Sequence, residues 1–314
     1  MVSVIIIFLN AEQFIQEAIT SVLAQTYDQW ELLLVDDGSG DRSSDIALRF
    51  VQQYPEKIYY LNHPDHQNRG MSASRNLGIR NAIGEYIAFL DADDVWFPHK
   101  LQQQVAVLES WPEAGMIYGR SLYWYSWTGE VEDLQRDFMQ SLGVPADTLA
   151  EPPGLVKLFL RKEAPAPCPS DVLVRRKIVE EIGGFEEQFR DIYQLFEDQA
   201  FFAKVCLRTP VFIAHECWDS YRQHADSCVT VVKRAGQYHT VRQFFLGWLE
   251  LYLSEQGFSD TEVWQVLQTE LWPYRHPTLW RLRGYVRYGV RQMQLVLTLI
   301  IQRTSLSSVR GKRV

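Results

Sequence analysis

Residues 85–94 read Glu85-Tyr-Ile-Ala-Phe-Leu-Asp91-Ala-Asp93-Asp94, an apolar run that ends abruptly in three carboxylates. A second run, Glu31-Leu-Leu-Leu-Val-Asp36-Asp37-Gly38-Ser39, closes in the same way. Short apolar runs bounded by turn residues are the pattern of buried strands. A strand gains nothing from terminal negative charge. In open α/β sheets, however, ligands bind in the crevice beyond the carboxyl ends of the strands. An Asp-x-Asp placed there suits a divalent cation, because Mg²⁺ or Mn²⁺ is held by one or two carboxylates together with substrate phosphates. The two runs point to an enzyme that handles a nucleotide diphosphate.

Working outward, the first 120 residues alternate strand and helix signals, which predicts a mostly parallel sheet with covering helices. Strands are expected at 3–9, 31–36, 57–61, 85–90 and 115–119, with helices at 11–25, 42–53, 71–82 and 98–110 between them. Residues 129–153 lose periodicity and read as a long loop, a kind of segment that is often functional. Ala164-Pro-Ala-Pro-Cys-Pro169 is a rigid entry to a strand at 170–174. Helices at 175–182 and 195–207 and a short strand at 210–214 follow. The remainder reads as helical, at 230–256, 259–271 and 278–303.

The chain has 314 residues, 46% of them apolar, enough for one large α/β domain with a helical appendage. Charge is unevenly spread. From Leu271 onward there are nine Lys/Arg and no Asp/Glu, whereas the first 270 residues carry 22 Lys/Arg against 39 Asp/Glu. An acidic body that needs a cation, with a basic tail that seeks an anionic surface, fits this balance and gives nucleic acid no role. In the tail, Trp280, Tyr285 and Tyr288 mix with Arg283, Arg287 and Arg291, opposite an apolar face through Val286, Val290, Met293, Leu297 and Ile300. That amphipathic helix suits an anionic membrane; packing on the catalytic domain or within a homo-oligomer is the alternative. Cys168, Cys206, Cys217 and Cys228 show no CxxC spacing and read as reduced thiols of a cytoplasmic protein. His215, Cys217, His224 and Cys228 fit no zinc spacing. The start, Met1-Val-Ser-Val-Ile-Ile-Ile-Phe-Leu9, lacks a basic lead-in and reads as a buried first strand rather than a signal peptide. No stretch reaches the roughly 18 apolar residues that span a bilayer.

Seven stretches, in order, resemble the family 2 glycosyltransferases over residues 1 to about 230. They are Val2-Ser-Val-Ile-Ile-Ile-Phe-Leu-Asn10, Val35-Asp-Asp-Gly-Ser39, Asn68-Arg-Gly-Met-Ser-Ala-Ser-Arg75-Asn76, Phe89-Leu-Asp-Ala-Asp-Asp94, Gly183-Gly-Phe185, Glu197-Asp198 and Tyr221-Arg-Gln-His224. The resemblance implies an α/β GT-A fold, a Rossmann-like, mostly parallel mixed sheet flanked by helices, with a helical C-terminal extension. It implies a catalytic domain over 1–228, with a nucleotide-binding half at 1–120 and an acceptor-binding half at 121–228. Residues 229–314 would be the helical C-terminal region.

The implied activity is metal-dependent, inverting transfer of a sugar from a nucleotide-diphosphate sugar, UDP-linked on family grounds, to a saccharide or lipid-linked acceptor. Mn²⁺ or Mg²⁺ would be held by Asp93, with Asp91 contacting the ribose or the metal's water shell and Ala92 between them. Phe8, Leu9, Asn10 and Glu12 would line the nucleotide pocket, Asp37 would bind the base, and Asp36 would support its turn. Asn68 and Gly70 would let the backbone approach the nucleotide, while Arg75 would meet the diphosphate or pack over the base. Asp198 takes the position of the family's catalytic base, although a carboxylate at a helix start is also an ordinary cap. Glu197 would support it or contact the acceptor, and Gly183, Gly184 and Phe185 would floor the sugar site. His224 would reach the metal or the diphosphate, or else be structural, and Tyr221 and Arg222 would pin a lid loop. The family's usual Pro-x-Tyr/Phe-Asn is Ile7-Phe-Leu-Asn10 here, which loses a proline and keeps Asn10.

Processive synthases of the family carry several membrane spans and a Gln-x-x-Arg-Trp motif, so their absence favours single-sugar addition. Peripheral attachment to the inner membrane face would suit a lipid-linked acceptor. Two rival readings are a sugar nucleotidyltransferase and a non-catalytic nucleotide-sugar-binding scaffold. The first lacks its Gly-rich signature at Asn10-Ala-Glu-Gln-Phe14, and the second would have no use for Asp91, Asp93 and Asp198.

Overall fold

In the computed structural model, which describes residues 1–282, the two decisive runs are neighbours of one parallel sheet. Val2–Phe8 (β1), Trp30–Asp36 (β2), Ile58–Asn62 (β3) and Tyr86–Asp91 (β4) lie side by side in the order β3-β2-β1-β4. Every residue of β1 and β2 is buried, the mark of parallel strands covered on both faces. The crossovers are made by Ile15–Leu23 (α1), Ser43–Gln53 (α2) and Met71–Asn81 (α3). Helix α3 presses onto β1 at Gly78, where a Cβ would stand 2.6 Å from Ile5 Cγ2.

The rest of the 10-stranded sheet is mixed. Its strands are Val95–Trp96 (β5), Met116–Trp124 (β6), Phe138–Met139 (β7), Thr148–Ala150 (β8), Leu173–Arg175 (β9) and Val211–Arg222 (β10). Strand β9 is the hinge of the arrangement, antiparallel both to β4 and to β6. Strands β6 and β10 run parallel, and β5, β7 and β8 are short antiparallel additions. Lys100–Ser110 (α4) begins with a buried cation: Lys100 Nζ donates to Gln104 Oε1 at 2.6 Å and to the Asp171 carbonyl at 2.7 Å. Burial pulls the Lys100 pKa down to about 8, opposed by the nearby carboxylates of Asp171 and Asp219.

The remaining helices are Gly154–Arg161 (α5), Arg176–Glu181 (α6), Glu197–Arg208 (α7), Cys228–Arg234 (α8), Tyr238–Glu255 (α9) and Thr261–Arg275 (α10). A compact unit spans Met1–Val266 and a second unit covers Leu267–Val314, of which residues 267–282 are described. The first unit continues past residue 228 because α9 packs aromatic rings back onto it. Phe245 stacks on Phe196 with centroids 5.2 Å apart, and Phe244 meets Phe189 edge-on at the same separation.

Several boundaries differ from the sequence reading. The strand expected at 170–174 begins only at Leu173, because Pro169–Asp171 form a 3₁₀ turn. The strand expected at 210–214 runs on to Arg222 through the polar stretch His215–Tyr221. The helix expected over 230–256 breaks between α8 and α9 at Gly236, whose φ is +68°. The long loop at 129–153 contains β7 and β8. The basic amphipathic stretch from Arg283 onward, with its proposed membrane or oligomer contact, lies outside the described residues. Among the described residues no helix is long and apolar enough to cross a membrane.

Candidate active site

Parallel pairing brings the acidic strand ends level. Phe8 is in register with Asp36, and Ile7 with Asp91, so the ends of β1, β2 and β4 open together onto one cleft of about 1460 Å³. Most of the candidate residues named from the sequence line that cleft, whereas Asp36, Asp94, Gly183, Gly184, Phe185 and Arg222 do not. Phe8, Leu9, Asn10 and Glu12 form one wall, with Asp37, Asn68, Gly70 and Arg75 beside them. Asp91, Ala92 and Asp93 line the cleft as well, as do Glu197, Asp198 and His224.

The wall at the ends of β1 and β2 is held by side chains binding main chain. Buried Asp36 accepts from the Ser39 amide at 2.8 Å and from the Tyr60 hydroxyl at 2.8 Å, so it supports the turn. Asn10, in the left-handed region at φ 51°, accepts from the Gly40 amide at 2.7 Å. Glu12 accepts from the Arg42 amide at 3.1 Å, which ties the β1 loop to the start of α2. The Asp37 carboxylate accepts from the amides of Arg69 at 2.7 Å and Gly70 at 3.0 Å, and this curls the Asn68–Gly70 loop over the end of β2. Gly38 makes that close approach feasible. At its φ of +90°, an added Cβ would stand 2.8 Å from the His66 carbonyl oxygen and 2.9 Å from the Asn68 nitrogen. Gly38→Ala is expected to cost about 1–3 kcal/mol and to weaken nucleotide binding with it. Melting temperature and calorimetry check this, and wild-type values for both would contradict it.

Beneath the cleft, Arg75 joins two parts of the site that are far apart in sequence. It is buried, with Nη2 on Asp91 Oδ1 at 2.6 Å and Nη1 on Glu197 Oε1, and its guanidinium lies over the Phe185 ring. Burial alone would disfavour its charge, but the two carboxylates outweigh that and hold it more firmly protonated than usual. Both guanidinium arms are thus engaged by protein carboxylates. Gly183, Gly184 and Phe185 do not line the cleft. They sit behind it, where Asn76 accepts from the Phe185 amide at 2.8 Å and donates to its carbonyl at 2.9 Å. The floor expected under the sugar is in fact a support for α3 and Arg75.

At the start of α7 the two acids are perturbed in the same direction. Burial pushes the Glu197 carboxyl up to about 8 despite the opposing Arg75 charge, and Glu197 Oε2 has no protein partner. Burial likewise raises Asp198 to about 7, opposed by the Gln199 amide it accepts from at 2.6 Å and by Arg75. A carboxylate made this basic, in a cleft, is suited to accept a proton near neutral pH.

The two aspartates after Ala92 have different surroundings. Asp94 is buried, accepting from the Arg222 amide at 2.9 Å and the Ser170 hydroxyl at 2.5 Å, so it clamps the loop to β10. Asp93 remains partly exposed, with Oδ2 2.8 Å from His224 Nε2. A carboxylate and an imidazole converging in this cleft would supply two of the six positions of an octahedral shell for Mg²⁺ or Mn²⁺, which takes its remaining ligands from phosphates and water. The donor set fits such an ion. Among the described residues no group of three or more His, Cys, Asp or Glu gathers as a self-sufficient metal site, and the four cysteines are free.

Sequence reasoning named none of the outer-wall residues individually. Gln140 and Ser141 near β7, Pro165 and Pro167 before the 3₁₀ turn, and Arg190 and Gln194 ahead of α7 all line the cleft. None of these belongs to a strand end or a charged motif; only the tertiary fold brings them in. The one available signal was the length of the 129–153 segment.

Comparison with known proteins agrees with this geometry. The profile described as "Glycosyl transferase family 2" matches residues 3–183. An uncharacterized glycosyltransferase of Nostoc sp. is 44% identical over 117 residues, 37% of this chain and 35% of that protein. The Escherichia coli protein named UDP-Glc:alpha-D-GlcNAc-diphosphoundecaprenol beta-1,3-glucosyltransferase WfgD is 39% identical over 108 residues, 34% of this chain and 41% of WfgD. The chain thus spans about a third of the Nostoc relative's length and two fifths of WfgD's. Among solved structures, S. aureus TarS 1–349 in complex with UDP-GlcNAc superposes with a TM-score of 0.61 at 17% identity, covering 88% of this chain and 73% of that one. The mannosyltransferase PcManGT from Pyrobaculum calidifontis, in complex with GDP-Man and Mn²⁺, gives 0.58 at 16% identity, covering 95% and 80%. The structural likeness establishes the GT-A fold. With most of its length under the family profile, and that fold beneath it, the chain belongs to glycosyl transferase family 2.

Proposed function

We propose that this protein is a metal-dependent, inverting glycosyltransferase that moves a single sugar from a UDP-linked donor to a saccharide or lipid-linked acceptor. The observation that carries the reading is one continuous line of contacts. Asp91, at the end of a central strand, is joined through Arg75 to Glu197, which precedes Asp198 at the start of α7. The site of the departing diphosphate and the site of proton removal are thereby held in fixed relation. The donor class is supported by the names of WfgD and of the TarS complex, and the lipid-linked acceptor by that of WfgD. PcManGT with Mn²⁺ supports the metal.

Asp37, Asn10 and the Asn68–Gly70 loop bind the nucleoside, and Asp93 with His224 holds the cation. When bound, Mn²⁺ or Mg²⁺ supplies Lewis-acid neutralisation of the leaving diphosphate. Asp198 takes the proton of the acceptor hydroxyl as its oxygen bonds to the anomeric carbon from the face opposite the departing nucleoside diphosphate. Arg75 keeps Asp91 and Glu197 close without mutual repulsion. The acceptor enters past the walls contributed by residues 121–228, and the basic tail at 278–314 contacts an anionic membrane on its cytoplasmic side.

Asp93→Ala is the sharpest test of the metal in this reading. The variant is expected to lose the Mn²⁺ dependence of nucleotide binding, seen by calorimetry with and without the ion. Unchanged metal-dependent affinity excludes Asp93 as the ligand.

A further inference from the structure

Arg222, at the end of β10, is buried although it carries a charge. Its amide donates to Asp94 Oδ1 at 2.9 Å, and its Nε donates to the Asp93 carbonyl oxygen at 2.6 Å. Its Nη2 reaches Glu17 Oε2 of α1 at 2.5 Å. The guanidinium lies against three rings, 4.5 Å from the centroid of Trp124, 4.9 Å from Phe14 and 5.0 Å from Trp127. The same aromatic group also touches the Gln223–His224 segment. Phe14 stands 5.1 Å from the His224 ring, and Trp127 Nε1 donates to the Gln223 carbonyl at 2.9 Å.

A planar fork of donors can hold a carbonyl and a carboxylate at once, which an ammonium cannot do in a fixed geometry. Arg222 uses that fork to fix the main chain of Asp93 while its own backbone leads, two residues on, to His224. Both members of the Asp93–His224 pair are therefore referenced to one side chain, and α1 is tied to the same point through Glu17. We infer that Arg222 is the positioning residue of this pair: it touches no substrate, and it sets the separation and aim of the carboxylate and imidazole that receive the cation. This inference rests on the proposed metal-dependent donor site.

The test is Mn²⁺ affinity of the full chain, measured by electron paramagnetic resonance in the presence of whichever of UDP, dTDP and GDP binds best. Melting temperature is recorded in parallel. Arg222→Lys keeps the positive charge but loses the fork and the planar stacking. It is expected to weaken Mn²⁺ binding at least tenfold and to remove the imidazole nitrogen coupling of His224 from the Mn²⁺ signal. Glu17→Gln changes an exposed partner and leaves Arg222 in place, so it keeps the fold; a loss of roughly threefold is expected. A purely structural role would lower melting temperature and leave the Mn²⁺ signal of the folded fraction untouched, and that result overturns the inference. Should Arg222→Lys fail to fold, Glu17→Gln decides, and wild-type Mn²⁺ affinity in that variant also overturns it. If wild-type protein binds no Mn²⁺ with any of the nucleotides, the donor-site reading itself fails and this inference falls with it.

Discussion

Replacing Asp198 with asparagine is expected to leave nucleotide binding nearly unchanged while lowering kcat by roughly two to four orders of magnitude, the range for loss of a general base. The side chain keeps its size and its position at the start of α7, and only the proton acceptor disappears. Asparagine can still accept from the Gln199 amide that Asp198 now binds at 2.6 Å, so the helix start is preserved. The pH profile separates this role from a cap. Burial raises Asp198 to about 7, and a base works only when ionised. For wild type, kcat/KM should rise with pH through about 7 and level off above it. That limb should be missing from the residual activity of the variant. Turnover at the wild-type rate, or an unchanged limb, would show that the proton goes elsewhere.

Arg75→Met should have the largest effect on stability. It leaves Asp91 and Glu197, now salt-bridged to Arg75, without a counter-charge in a buried setting. Removing one partner of a buried ion pair typically costs about 3–5 kcal/mol. For a domain of this size that corresponds to a fall in Tm on the order of 10 °C. The sign of the pH dependence follows from linkage. Without Arg75 the two carboxyls sit even further above their unfolded values, so the folded state binds more protons than the unfolded chain. The defect should therefore be smallest near pH 5 and grow as pH rises through neutrality. Arg75→Lys retains the charge but cannot bridge two carboxylates and should fall between. Thermal melts of the three proteins at several pH values check this. A defect independent of pH would mean that packing on Phe185, rather than charge, is what Arg75 supplies.

The parts of the fold that rest on local pattern were legible in the sequence. The runs at 3–9, 31–36 and 85–90 became β1, β2 and β4 because continuous apolar stretches ending in turn residues have few other uses. Asp36, Asp37, Asp91 and Asp93 were identifiable because their charges sit where a strand would not want them. Short strands such as Val95–Trp96 were invisible, being too brief to show any period. The extension of β10 to Arg222 was hidden by polar residues that are buried through tertiary contacts, among them Asp219 and Arg222.

The candidate site divides the same way. Its residues could be named one by one, yet their partnerships could not. That Arg75 would be shared by carboxylates 16 and 122 positions away depends on how α3 and α7 meet under the sheet. The same holds for Asp94, the last of the three strand-end acids, which clamps β10, and for Arg222, which looked like part of a loop anchor.

The central claim is that the cleft is a metal-assisted nucleotide-sugar site, and calorimetric titration of the full chain with UDP, dTDP, GDP and ADP, each with and without Mn²⁺, tests it most directly. The account predicts that UDP binds tightly, that it does so only when Mn²⁺ is present, and that the other three bind far more weakly. Failure of all four to bind under either condition would contradict it.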